Sequence, residues 1–294
     1  MEPELIVDYK CHVGEGPLWV SAKGRVIWAD ILTGRLFSYS PETGQHEQFY
    51  QRDGMIGGMT LQADGSLLLL MERGGIAVLR DGQLDYVIDE LPGDGELRFN
   101  DVIADPAGRV FGGTMPQDSG RATAGERLGS FYRIDIDGTV TKLFEGTCIP
   151  NGMGFTPDRK HMYYTESMDY KIFLYDYDQE TGEISDRRVF VETPRSEGLP
   201  DGMTVDAEGY VWSARCGGSS LVRYTPQGVE ERRIRMPARM ITSAIFGGRE
   251  LDEIYVTSLG GDDTAQHGEH AGALFRLKLG IRGVEEFRSR IGLK

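Results

Sequence analysis

The chain has 294 residues, and 40 of them are glycine, about 14% against the ~7% of an average protein. Hydrophobic residues at 39% and aromatics at 10% exclude wholesale disorder, and neither a G-x-y period nor a low-complexity tract absorbs the glycine. With 32 Lys and Arg against 46 Asp and Glu, the net charge is −14, which speaks against nucleic-acid and membrane-surface partners.

The chain starts MEPELIVDYK, with no basic region and no apolar core of a signal peptide. Its longest apolar run, Leu67–Met71, falls far short of a membrane span. Cys11, Cys148 and Cys216 form no C-x-x-C pair, so a thiolate metal site or redox dithiol lacks support. A cytoplasmic protein with three free, mostly buried thiols is expected.

Alternating apolar runs bounded by Gly, Asp and Pro then recur from end to end, and helical periodicity is scarce. One unit begins KGRVIWADILTGRLFSYSPETGQ at Lys23, and the second begins ADGSLLLLMERGGIAVLRDGQ at Ala63. The third combines DPAGRVFGGTM with GSFYRIDIDGTV, and the fourth is PDRKHMYYTESMDYKIFLYDYDQETGEI. The fifth is DAEGYVWSARCGGSSLVRYTPQGVEE, and a worn sixth joins LDEIYVTSLGG to GALFRLKLGIRGV. Copies about 40 to 50 residues apart match a four-stranded propeller blade. The sequence therefore predicts an all-β, six-bladed β-propeller with four antiparallel strands per blade, a single domain over 1–294. Closure is expected to pair a strand near Leu5–Tyr9 with the last repeat, which protects the sheet edges.

Aligning the units on their turn glycines exposes a polar position. Asp201 lies eight residues before Gly209, Asn100 eight before Gly108, and Asn151 eight before Arg159, which stands where the others have glycine. Glu15 lies nine before Gly24, and Gly57 eight before Gly65. Four of the first five blades thus place a carboxylate or carboxamide just ahead of an innermost strand, and the four side chains should converge at one mouth of the channel. Oxygen donors of this kind suit hard cations such as Ca²⁺, Mg²⁺ or Mn²⁺, and Zn²⁺ also accepts carboxylates. For any one of them alone, a side-chain cap on the local turn is the alternative. The repetition of the position favours the cation.

Arg98 lies two residues before Asn100, on the same strand face, and can bind substrate or pair with Asp94 or Glu96. Glu126 and Arg127 belong to a long polar insertion, QDSGRATAGERLGS, of the sort that forms lids or binding loops. His267 and His270, in GGDDTAQHGEHAG, read as a loop feature, and Met55, Met59, Met153 and Met203 read as core filler. Neither a G-x-S-x-G elbow, a Walker loop nor a dinucleotide-binding glycine motif is present.

The stretches RFNDVIADPAGRVFGGTM, PNGMGFTPDRKHMYYTES and LPDGMTVDAEGYVW resemble the senescence-marker-protein/gluconolactonase/luciferin-regenerating-enzyme family. The resemblance runs from GEGPLWV to the sixth blade. It implies one divalent cation (Ca²⁺, Zn²⁺, Mg²⁺ or Mn²⁺) at the channel mouth, held by Glu15, Asn151 and Asp201. It also implies Arg98, Asn100 and Glu126 as substrate-binding residues. The expected activity is metal-dependent hydrolysis of a lactone, a glucono- or other aldonolactone or a related aliphatic lactone, with Asp201 as general base to the attacking water. Hydrolysis of a phosphotriester at the same site and a non-catalytic calcium-binding propeller are the competing readings. The expected partner is a small-molecule lactone, without nucleic acid or membrane, and the protein is expected to be a monomer or weak homo-oligomer. Selectivity is expected to reside in the loops 116–128 and 260–272.

Overall fold

The computed structural model describes residues 2–262 and 264–293. The chain forms a six-bladed β-propeller of six four-stranded antiparallel sheets. Five sheets are simple meanders, and their first strands are Gly14–Val20, Ile56–Leu61, Leu97–Ala104, Pro150–Phe155 and Leu199–Val205. The sixth runs Ile241–Gly247, Glu253–Ser258 and Leu274–Lys278, and takes Glu4–Val7 as its fourth strand. Leu5 pairs with Phe275 and Glu4 with Arg276, the closure expected from the N-terminal segment.

Burial falls from the first strand to the fourth. Ile56–Leu61 is buried throughout, whereas Gln83–Ile88, the last strand of that sheet, alternates exposed and half-buried positions. This gradient explains the composition: inner strands are mostly apolar residues and Gly, with a few buried polar groups, and outer strands carry more of the charge. Gly209, Gly108, Gly65 and Gly24 all have positive φ at the turn after the first strand. Arg159 holds the same turn position at φ 57°, as does Leu251 in the sixth sheet at φ 56°. Glycine is the residue of least cost there, so it punctuates four of the six units.

Two compact units contain three sheets each, one built from 1–53 and 190–286 and the other from 54–189 and 287–294. In the first unit one core cluster gathers Trp212, Ile241, Phe246, Val256 and Phe275, and another gathers Trp19, Trp28, Phe37, Ile245 and Tyr255. In the second unit Leu68, Phe99, Val110 and Tyr132 form one cluster, and Phe111, Phe131, Tyr164 and Tyr175 another. The C-terminal tail seals that unit: Gln62 and Ile291 exchange two hydrogen bonds, and Ser289 Oγ meets Thr60 Oγ1 at 2.7 Å. Among the described residues no helix is long and apolar enough to cross a membrane.

Candidate functional site

Each first strand departs from regular pairing at the position singled out by the repeat. The register breaks between Glu15 and Leu18, Phe99 and Val102, Asn151 and Met153, and Pro200 and Met203. The second and sixth sheets break likewise, between Ile56 and Gly58 and between Ile241 and Ala244. An extra residue in one strand re-aims its side chain out of the pleat, which is how buried first strands present polar groups at their starts.

In the first unit, Glu15 and Asp201 are each only 7% exposed. Glu15 Oε2 accepts the Gly16 N–H at 2.8 Å. Cys216, at the end of the neighbouring strand Val211–Cys216, lies beside both carboxylates. Burial, the charges of Asp201 and Glu15 and a hydrogen bond to Asp201 push its thiol well above the ordinary range. Glu15, Asp201 and the protonated Cys216 therefore share one polar spot. By sequence Cys216 is only one of three expected free, mostly buried thiols; its offset of fifteen residues after Asp201 was the available signal. Ser243 of the sixth sheet holds the matching position, eight residues before Leu251, and a side chain on Gly202 would strike its Oγ. Without a turn glycine, that blade gave no alignment mark.

In the second unit, Arg98 Nη1 donates to Asn100 Oδ1 at 2.6 Å and to Phe99 O at 2.9 Å. Asn100 Nδ2 in turn donates to Pro150 O at 2.8 Å, which ties it to the residue before Asn151. Of the acids first weighed as partners of Arg98, Asp94 accepts from Tyr132 and Glu96 from Arg121. Asn151 is 3% exposed, and its Nδ2 donates to Ser167 Oγ at 3.1 Å. Its Oδ1 is buried and accepts nothing from the described residues. Such an acceptor is costly unless a donor or cation completes it. Asp101, next to Asn100 and not singled out in the sequence, has its carboxyl pushed up to about 6 by burial.

Gly57 interrupts the polar series for a steric reason: a Cβ there would lie 1.9 Å from Phe99 O. Glu126 lies just past the short helix Ser119–Thr123. It is 44% exposed and pairs with Arg121, which also reaches Glu96. His267 ends a short 3-10 turn and His270 lies 3.5 Å from Asp8, so neither joins the strand-start residues. Asp263, in the same 260–272 segment, lies outside the described residues. Met59, Met153 and Met203 are buried core residues, as expected.

The donors fit a hard divalent cation. Glu15, Asp201 and Asn151 are oxygen donors at least nine-tenths buried, and the Asn151 amide oxygen lacks a protein donor. Among the described residues no three His, Cys, Asp or Glu side chains cluster as a metal site.

The fold and these strand starts define the class: a six-bladed propeller with oxygen donors at the heads of its first strands. The family model described as SMP-30/Gluconolactonase/LRE-like region matches residues 13–260, and the chain belongs to that family. It is 48% identical to pentonolactonase XacC of Haloferax volcanii over 98% of each chain. Luciferin-regenerating enzyme superposes with a TM-score of 0.90 at 30% identity, over 98% of this chain and 100% of that one. A calcium-binding protein, regucalcin from Agrobacterium tumefaciens, superposes with a TM-score of 0.89 at 26% identity, over 98% and 97%.

Proposed function

We propose that this chain is a sugar lactonase that uses one divalent cation and acts as a single propeller domain. The reading is carried by the oxygen donors Glu15, Asn151 and Asp201, which recur at one strand-start position and include an amide oxygen with no protein donor. The pentonolactonase relative supports a lactone as substrate.

Bound to Glu15, Asn151 and Asp201, a divalent cation would supply Lewis-acid stabilisation of the developing negative charge on the lactone oxygen. Asp201, 7% exposed, would accept the proton of the attacking water as general base. The Arg98 guanidinium cannot act as a proton donor at neutral pH, so it serves as a fixed donor that orients ring oxygens. Asn100, already locked between Arg98 and Pro150 O, holds that donor in register with Asn151. Glu126 sits on the polar insertion, where a substrate hydroxyl would compete with Arg121 for its carboxylate.

Acid release from a panel of aldono-γ- and δ-lactones, with and without chelator, tests the proposal. Hydrolysis that disappears with chelator and returns with metal is expected. An Asp201→Asn variant should lose ~10²–10⁴-fold in kcat while keeping its fold. Metal-loaded protein inactive on the whole panel would leave the second reading, a calcium-binding propeller, which the regucalcin match favours.

A further inference from the structure

The first strands are held in place by a device that recurs at a constant offset. Fifteen residues after Glu15, Gly57 and Asn151 stand Asp30, Glu72 and Glu166, at or just past the ends of the second strands. Each carboxylate accepts the backbone N–H of the residue two before the strand-start position. Asp30 Oδ1 takes Val13 N at 2.9 Å, Glu72 Oε2 takes Met55 N at 2.6 Å, and Glu166 Oε1 takes Ile149 N at 2.9 Å. These N–H groups precede the paired strands, so the sheet ladder does not satisfy them, and a buried donor needs a partner.

The brace is most complete at Asn151. Glu166 is 2% exposed, and its second oxygen accepts Cys148 N and Tyr164 OH, both at 3.1 Å. The next residue closes the loop: Ser167 N donates to Ile149 O at 3.1 Å. Ser167 Oγ receives the Asn151 amide hydrogen, which fixes Nδ2 there and leaves the buried Oδ1 without a protein donor among the described residues. The first blade repeats the closure, since Ile31 N donates to Val13 O at 3.0 Å. In the fifth blade the same offset holds Cys216, beside Asp201 and Glu15, where another carboxylate would add a third buried negative charge.

We propose that Asp30 and Glu166 are positioning residues that aim Glu15 and Asn151, and that Glu166 with Ser167 sets the direction of the Asn151 amide oxygen. The inference rests on the metal-dependent reading above for its consequence, but its geometry can be measured separately. Residues that orient metal ligands commonly change affinity 10–100-fold when removed.

Calorimetric titration with Ca²⁺ and with Zn²⁺ should be compared for wild type, Glu166→Ala, Glu166→Gln and Asp105→Asn. Asp105 is a fully buried carboxylate in the same unit, bonded to Ala107 N, Arg109 and Tyr177 at the far end of its strand, so it controls for lost stability alone. Glu166→Ala should bind the metal ~10–100-fold more weakly, with Glu166→Gln between it and wild type because one acceptor remains. Asp105→Asn should melt earlier yet bind as wild type. Wild-type affinity in Glu166→Ala, or equal weakening in Asp105→Asn, would overturn the proposal. If the wild type takes up neither metal, the function proposed above fails, and hydrogen exchange over residues 147–151 decides the brace. Faster exchange there in Glu166→Ala than in Asp105→Asn upholds it, and equal rates refute it.

Discussion

Asn100 Nδ2 donates to Pro150 O at 2.8 Å, so a side chain from one first strand is locked to the backbone at the head of the next. Its Oδ1 is occupied at the same time by Arg98. One carboxamide therefore connects the guanidinium that would orient substrate to the residue preceding Asn151. Truncation would leave the Pro150 carbonyl and the Arg98 guanidinium each short of a buried partner. Asn100→Ala should lower stability by about 1–3 kcal/mol, read by urea denaturation. It should also reduce kcat/KM on a turned-over lactone far more than that loss of stability explains at 25 °C, where the variant stays folded.

Arg98→Lys should not rescue the site. A lysine ammonium is a point charge and cannot keep the Asn100 and Phe99 contacts while presenting a planar fork to a substrate oxygen. Steady-state kinetics should show a higher KM and a lower kcat/KM than wild type, measured at a temperature where the variant, destabilised by about 1–3 kcal/mol through the lost buried contacts, stays folded. Arg98→Lys kinetics equal to wild type would remove Arg98 from the site.

Burial pushes the Cys11 thiol up to about 12, with Asp30 adding to the shift. The sign follows from linkage: the folded state keeps a proton that the unfolded chain releases near the ordinary thiol value of about 9. This contribution is fully present below pH 9 and is lost as pH rises from there toward 12. Stability should therefore fall across that alkaline window, and a Cys11→Ala variant should show a shallower decline over it. Native protein at pH 8 should also resist thiol-alkylating reagents at Cys11, and denaturant should expose it.

Gly57→Ala tests why the second blade lacks a polar group. The new Cβ would meet Phe99 O at 1.9 Å and Phe99 C at 2.5 Å, both backbone atoms that cannot rotate away. A loss of about 3 kcal/mol or more is expected in chemical denaturation, at the upper end of overpacking effects. Gly65→Ala is the comparison, since nothing lies within 4 Å of its Cβ and its cost comes from φ 87° alone. That substitution should be the milder of the two.

Much of the architecture was legible because a propeller writes its period into the chain. Turn glycines at positive φ recur with each blade, and counting back from Gly24, Gly108 and Gly209 reaches Glu15, Asn100 and Asp201. The count failed in the sixth blade, where Leu251 takes the left-handed turn without glycine and so hides Ser243. Glu126 was legible in a different way. Its place in a polar insertion is visible in the sequence, but its ion pair with Arg121 depends on how the short helix Ser119–Thr123 is set against the sheet.

By itself the sequence determined the blade count and the closing strand, because both depend on spacing along the chain, and the same spacing put Glu15, Asn151 and Asp201 at one repeat position. The tertiary structure alone decided what surrounds those side chains. A break in strand register turns each donor out of the pleat, and that break is a property of two paired strands. Glu166 braces Asn151 from the neighbouring strand, and Cys216 sits against Asp201 in the same way. The offset of fifteen residues is visible in the chain, but only the folded sheet brings Glu166 within hydrogen-bonding range of Ile149 N, seventeen residues before it.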